Sequence, residues 1–276
     1  MQTYTGVREL IIKDEDLQSF YEDGREYNLL TNEYVKVRNE QGEVIYLGKW
    51  NGENFVPLKY KKIDSDYFGI ISPLNDEQRF WFDCLQNDNI LIKFCLSKFG
   101  TGKTMTSLCW ALTEINSKKS KYKCLHYVRN NLECKDVVGI GSLPGDLNLK
   151  LRPWALEISD VLGSEDMLDI YVEQGKIKLE SIGYCRGRSW ENSIIFLDES
   201  QNISSYLLSV LLSRCGKNSC IIGVGDVRQT DKEIFSKDSG VLKAIEKFKG
   251  NPLFGLVTLQ KNERSEVSTM ADLLLE

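Results

Sequence analysis

The sequence predicts an α/β fold: a parallel sheet with helices on both faces, preceded by a small β-rich unit over residues 1–72. Three observations carry this reading. From Pro73 onward, short apolar runs alternate with helix-spaced segments, the rhythm of strand–helix–strand crossovers. Before Pro73 the apolar runs are separated by the turn signals Gln41-Gly42 and Asn51-Gly52. With 276 residues, 42% of them hydrophobic and 27% charged, the chain is long enough for one sizeable core plus an accessory unit.

In chain order, the first unit has strands at 7–12, 34–38, 44–47 and 55–60, with a short helix at 14–21 that stops at Asp23-Gly24. Pro73 marks the boundary, and the second unit runs over 73–276. Its strands fall at 90–96, 122–128, 176–184, 193–197, 220–224 and 255–259. Helices are expected at 103–115, 149–162, 205–215, 240–248 and 266–275. A net charge of −5 excludes a chain that coats nucleic acid over its whole surface and leaves room only for a local basic patch. The eight cysteines form no C-x-x-C pair and lie mostly in apolar runs, as buried reduced thiols do. No basic leader and no membrane-length apolar run is present, so the expected location is the cytoplasm, of a bacterium or of a host cell. The single histidine, His126, sits in an apolar strand and reads as a packing residue rather than a base.

Residues 97–104 read Ser97-Lys98-Phe99-Gly100-Thr101-Gly102-Lys103-Thr104, between an expected strand and an expected helix. That is the setting of a phosphate-binding loop. Gly100 and Gly102 let backbone N–H groups curl around the phosphates of ATP, and Lys103 reaches the β and γ oxygens. The Thr104 hydroxyl is placed to ligate Mg²⁺. All eight residues are candidate nucleotide contacts. Ser97 departs from the G-x-x-x-x-G-K-[ST] pattern, and its backbone must tolerate whatever angle the glycine would adopt. Further on, the apolar run 194–197 delivers Asp198 and Glu199 at a strand end, where α/β sheets place ligands. Asp198 is the candidate Mg²⁺ ligand and Glu199 the candidate base that activates water. Strands expected between the two motifs favour ATP hydrolysis over nucleotide-kinase chemistry.

Four further stretches extend the pattern. The segments 74–79 (LNDEQR), 198–201 (DESQ), 225–229 (GDVRQ) and 259–265 (LQKNERS) resemble the ordered motifs of superfamily 1 helicases. The segments 142–147 (SLPGDL), 184–189 (YCRGRS), 197–202 (LDESQN) and 225–231 (GDVRQTD) look like the PhoH family of cytoplasmic ATPases, a resemblance that covers about 74–276. It implies one RecA-like domain in which Gln78 reads the adenine edge and Gln229 senses the γ-phosphate. Arg264 would stabilise the transferring phosphoryl group, in cis or across a subunit boundary. Glu263 stands where helicases often carry an adenine-stacking aromatic residue. The N-terminal segment resembles the piece preceding the ATPase domain in longer PhoH proteins with a PIN nuclease domain, and no PIN domain is expected here. The resemblance also implies RNA or single-stranded DNA as a partner and a homo-oligomeric ring, a hexamer by expectation, since one motor domain needs neighbours to translocate. Arg186 and Arg188 are candidate nucleic-acid contacts, because forked guanidinium groups suit phosphates. Two alternatives stand beside the ATPase: a nucleotide-switched RNA-binding module with little turnover, and a small-molecule kinase.

Overall fold

The computed structural model describes residues 4–22, 24–130 and 151–265. Cys134, the SLPGDL turn and the helix expected at 266–275 lie outside them. The first sheet has four strands in chain order, β1 (Val7–Ile11), β2 (Tyr34–Arg38), β3 (Val44–Trp50) and β4 (Phe55–Pro57). β1 runs parallel to β2 and the other pairs are antiparallel. Its small core gathers around Phe20 on α1 (Leu17–Glu22), which stacks on Phe55 at 4.3 Å between ring centroids. A hairpin of β5 (Ile63–Ser65) and β6 (Gly69–Ile71) follows; strands of three residues are too short to leave an alternating signal.

The segment after Pro73 is a helix, α2 (Asp76–Gln86), which the sequence reading left as a motif only. Asn75 caps it by accepting from the Gln78 N–H, and Asp76 and Glu77 favour its N-terminal dipole end. Its apolar residues are buried almost all round because the helix lies between the two sheets. The remaining elements are β7 (Ile92–Ser97), α3 (Lys103–Asn116), β8 (Cys124–Arg129), α4 (Leu156–Leu162), α5 (Glu165–Glu173), β9 (Ile177–Ser181), β10 (Ser193–Leu197), α6 (Ser205–Leu212), β11 (Cys220–Gly225), α7 (Glu233–Lys237), α8 (Gly240–Phe248) and β12 (Phe254–Leu259). Where one helix is expected over 149–162, the described part is a turn at Pro153 and then α4. Gly163, at φ 87°, ends α4, and the Ser164 side chain caps α5.

Six parallel strands form the main sheet in the order β12-β7-β11-β10-β8-β9. Both faces are covered. Ile194 and Phe196 of β10 join the core beneath α2, α3, α4 and α5, whereas Ile195 and Leu197 join the core beneath α6 and α8. β11 lies between β7 and β10, so the phosphate loop and the acidic pair leave the same sheet edge two strands apart. Asp83 of α2 ties the small sheet to the main one: its buried carboxylate accepts from Tyr34 Oη (2.8 Å), Lys49 Nζ (2.7 Å) and the Lys59 N–H (2.7 Å). Asn32 adds bonds to the Pro252 and Phe254 carbonyls. Among the described residues no helix is long and apolar enough to cross a membrane.

Candidate functional site

β7 is an apolar run buried along most of its length, and it ends at Ser97, paired with Leu259 of β12. Ser97 is not among the residues with positive φ, so the serine sits in ordinary backbone. Its hydroxyl donates to the Lys98 carbonyl (3.0 Å) and accepts from Thr101 Oγ1 (2.6 Å), closing the loop from within. Gly100 and Gly102 are the residues that need to be glycine, with φ of 70° and 83°. Gly102 is the N-cap of α3 and brings no capping side chain, which leaves the first N–H groups of the helix to a ligand. Lys103 Nζ lies 3.4 Å from the Lys98 carbonyl. Thr104 follows in the first turn, half-buried. Phe99 is exposed at the loop's tip.

The loop is braced from two sides. Gln78 is 4% exposed; its Nε2 donates to the Thr101 carbonyl (2.9 Å) and its Oε1 accepts from the Leu74 N–H (2.7 Å). The chain after β12 crosses in front: the Glu263 N–H donates to the Gly100 carbonyl (2.9 Å), and Asn75 Nδ2 donates to Glu263 Oε1 (2.8 Å). Glu77 Oε2 receives the Gln260 and Lys261 N–H groups. A Cβ at Gly100 would meet Asn262 Oδ1 at 2.3 Å, a second reason for glycine there. Arg264 follows, exposed, with its backbone N–H bonded to Asn262 Oδ1 (2.9 Å).

At the end of β10, Asp198 is 2% exposed and Glu199 turns the chain out of the sheet with φ 48° and ψ 47°. A non-glycine residue held there stores strain of about 1 kcal/mol or more, as functional turns do. Asp198 Oδ2 accepts from Tyr127 Oη (2.6 Å) and lies 3.3 Å from Arg129. Glu199 Oε2 accepts from Gln201 Nε2 (2.6 Å), while Oε1 lies 3.8 Å from Arg129. A third carboxylate comes from α4: Glu157, Asp198 and Glu199 offer oxygens within 4.8 Å of one another. Burial, then the charges of Asp198 and Glu199, push the Glu157 carboxyl up to about 7. Asp198 is raised too, by burial first and then by Glu199, against the pull of Tyr127 and Arg129. Three carboxylates so close fit a divalent cation, because its charge relieves the repulsion that raises them.

Gln229 follows β11, and its Nε2 donates to Asp226 Oδ2 (2.7 Å). The link to the acidic pair is Gln201: besides Glu199, its amide holds the Gln229 carbonyl (3.1 Å) and accepts from the Asp226 N–H (3.1 Å). Arg188 is committed elsewhere, to Glu180 Oε2 at 2.7 Å and over the Trp190 ring. His126 belongs to the same buried network, bonded to Glu180 and stacked on Trp190 at 4.3 Å. Arg186 bonds the Tyr206 hydroxyl (3.0 Å) and lies over its ring, which is 60% exposed. Sequence reasoning missed Tyr127, Arg129 and Glu157, and took Gln201 as a motif position with no role of its own. Arg129 ends a strand at the ligand edge, which is a usable signal, whereas nothing in α4 marks Glu157.

Comparison with known proteins gives a concordant result. The sequence model of the family described as "PhoH-like protein" matches residues 70–272. The chain is 31% identical over 280 residues to protein PhoH2 of Mycolicibacterium smegmatis, covering 99% of this chain and 63% of that protein. With PhoH2 of Bacillus subtilis the identity is 30% over 292 residues, covering 99% and 65%. Protein PhoH of Escherichia coli is 28% identical over 194 residues, covering 68% and 53%. The chain thus spans a little under two thirds of the length of the PhoH2 relatives. On a family match that begins just before the first site helix and runs through the loop, the acidic pair and the Gln229 turn, the chain belongs to the PhoH-like family.

Proposed function

We propose that the chain binds ATP on the 97–104 loop and hydrolyses it with Mg²⁺, coupling turnover to RNA or single-stranded DNA. The observation that carries this reading is a glycine-shaped loop opening α3 with a cluster of three carboxylates two strands away, about 10 Å by the spacing of neighbouring strands. Backbone N–H groups from Gly100 to Thr104 and the Lys103 ammonium hold the phosphates. Thr104 and Asp198 would hold Mg²⁺, whose charge offsets that on the β and γ oxygens. Glu199, held by Gln201 and turned out of the sheet, orients water and takes its proton. Gln201 joins Glu199 to the Gln229 turn, which suits Gln229 to reporting loss of the γ-phosphate. Gln78 keeps one amide proton and one lone pair beyond its two internal bonds for the adenine edge.

Exposed Arg264 beside the loop suits an arginine given to a neighbouring subunit's phosphates, which supports a homo-oligomeric ring. The Arg186–Tyr206 pair offers the aromatic face and cation that single strands stack against. Cysteines that are free and mostly buried among the described residues suit a cytoplasmic setting. The ordinary backbone of Ser97 removes the reason to read the loop as degenerate, and so weakens the binding-module alternative. The test is phosphate release with and without single-stranded RNA or DNA at stated salt. Glu199→Gln should lower turnover about 100-fold or more while ATP affinity is kept. Equal rates for the two chains would remove Glu199 as the base.

A further inference from the structure

The acidic corner of the site brings Glu157, Asp198 and Glu199 together, and Arg129 lies in ion-pair contact with Asp198 and Glu199. The Lys103 ammonium lies 3.4 Å from the Lys98 carbonyl and acts on Glu157 through its charge. Arg129 ends β8, beside β10. The next residue straps the chain in place, Asn130 Nδ2 donating to the Asn202 carbonyl at 2.6 Å. The guanidinium is therefore presented to the acidic pair from the end of a paired strand, next to a residue whose side chain is itself hydrogen-bonded.

How it holds the pair is informative. Tyr127 grips Asp198 Oδ2 at 2.6 Å, a full hydrogen bond that fixes the carboxylate. Arg129 bridges the two acids more loosely, NH1 3.3 Å from Asp198 Oδ2 and NH2 3.8 Å from Glu199 Oε1, rather than clasping one of them with both arms. At 23% exposure it keeps access to water, so it can leave without an unpaired charge being trapped in the interior. Asp198 is thus fixed by a short bond from a neutral donor, while the charged contacts to the pair are longer.

We infer that Arg129 is the resident counter-ion of this corner. It is a positioning residue that keeps Asp198 and Glu199 side by side while no divalent cation is bound, and it competes with that cation for them. The inference rests on the proposal that this corner is the metal site of an ATPase. Its test uses Mn²⁺ alone, titrated into the nucleotide-free full chain at fixed ionic strength and followed by electron paramagnetic resonance. Arg129→Gln and Arg129→Met should each bind Mn²⁺ about tenfold more tightly, and Arg129→Lys should stay within about threefold of the native chain. The gain should vanish when Asp198→Asn is added, which places it at the pair. Neutral variants that bind Mn²⁺ no more tightly, or a gain that survives Asp198→Asn, would overturn the inference. A chain that shows the expected Mn²⁺ behaviour but releases no phosphate from ATP would refute the ATPase reading alone. A hydrolysing chain with unchanged Mn²⁺ binding in the neutral variants would refute the counter-ion alone.

Discussion

Ser97 stands where a phosphate loop has its first glycine, yet it ends β7 in ordinary backbone and bonds Thr101. Ser97→Gly should therefore leave affinity for a non-hydrolysable ATP analogue within about threefold, while lowering stability by about 1 kcal/mol through the lost hydroxyl bond and added chain freedom. Gly102→Ala should differ in its effect on binding. At φ 83° an alanine costs about 1–2 kcal/mol through backbone strain alone, since its Cβ would meet Gln78 Nε2 only in ordinary contact at 3.4 Å, and a loop that relaxes from this angle should lose affinity for the analogue tenfold or more. Calorimetric titration of the two variants against the native chain checks both. At this scale the loop and the acidic pair were legible because each is a local pattern between a strand and a helix. Glu157 was not, since the packing of α4 brings it in from a distant part of the chain, and Arg129 showed only as the end of a strand whose place in the sheet the sequence does not give.

Among the elements, α2 carries more than its motif implied. It supplies Gln78 to the loop, Asn75 and Glu77 to the strap at 260–263, and Asp83 to the small sheet. Asp83→Ala would strand the Lys49 ammonium beneath that sheet, and breaking a buried pair from one side costs about 3–5 kcal/mol. Urea unfolding should show that loss. Lys49→Met combined with Asp83→Leu should recover part of it, because apolar groups of similar size remove both buried charges. The strands at 34–38 and 193–197 stand where the pattern of β-branched and apolar residues put them. The hairpin β5–β6 and the five-residue α7 escaped because neither is long enough to show a period. α5 escaped because the expected helix stops at 162, ahead of Gly163, and the reading resumes only with the strand at 176, so the second helix that Ser164 caps goes unmarked.

For the molecule as a whole, the proposal of a ring turns on where Arg264 acts. If it reaches a neighbour's nucleotide, Arg264→Ala and Glu199→Gln chains should each be inactive alone. Mixed in equal amounts, they should regain about a quarter of native turnover, because in a head-to-tail ring that share of interfaces pairs two intact residues. Turnover of the mixture, with light scattering to read the assembly, decides between cis and trans. The small sheet has a consequence of another kind. β12 is the last strand of the main sheet, and its outer side meets the N-terminal segment: Thr258 donates to the Thr5 carbonyl at 3.0 Å, and Gly6 approaches the Leu256 carbonyl so closely that a Cβ would lie 1.8 Å from it. A bare strand at that position would be a template for pairing with another chain. The first few described residues thus lie along the outer edge of the main sheet, where they stand in the way of edge-to-edge pairing.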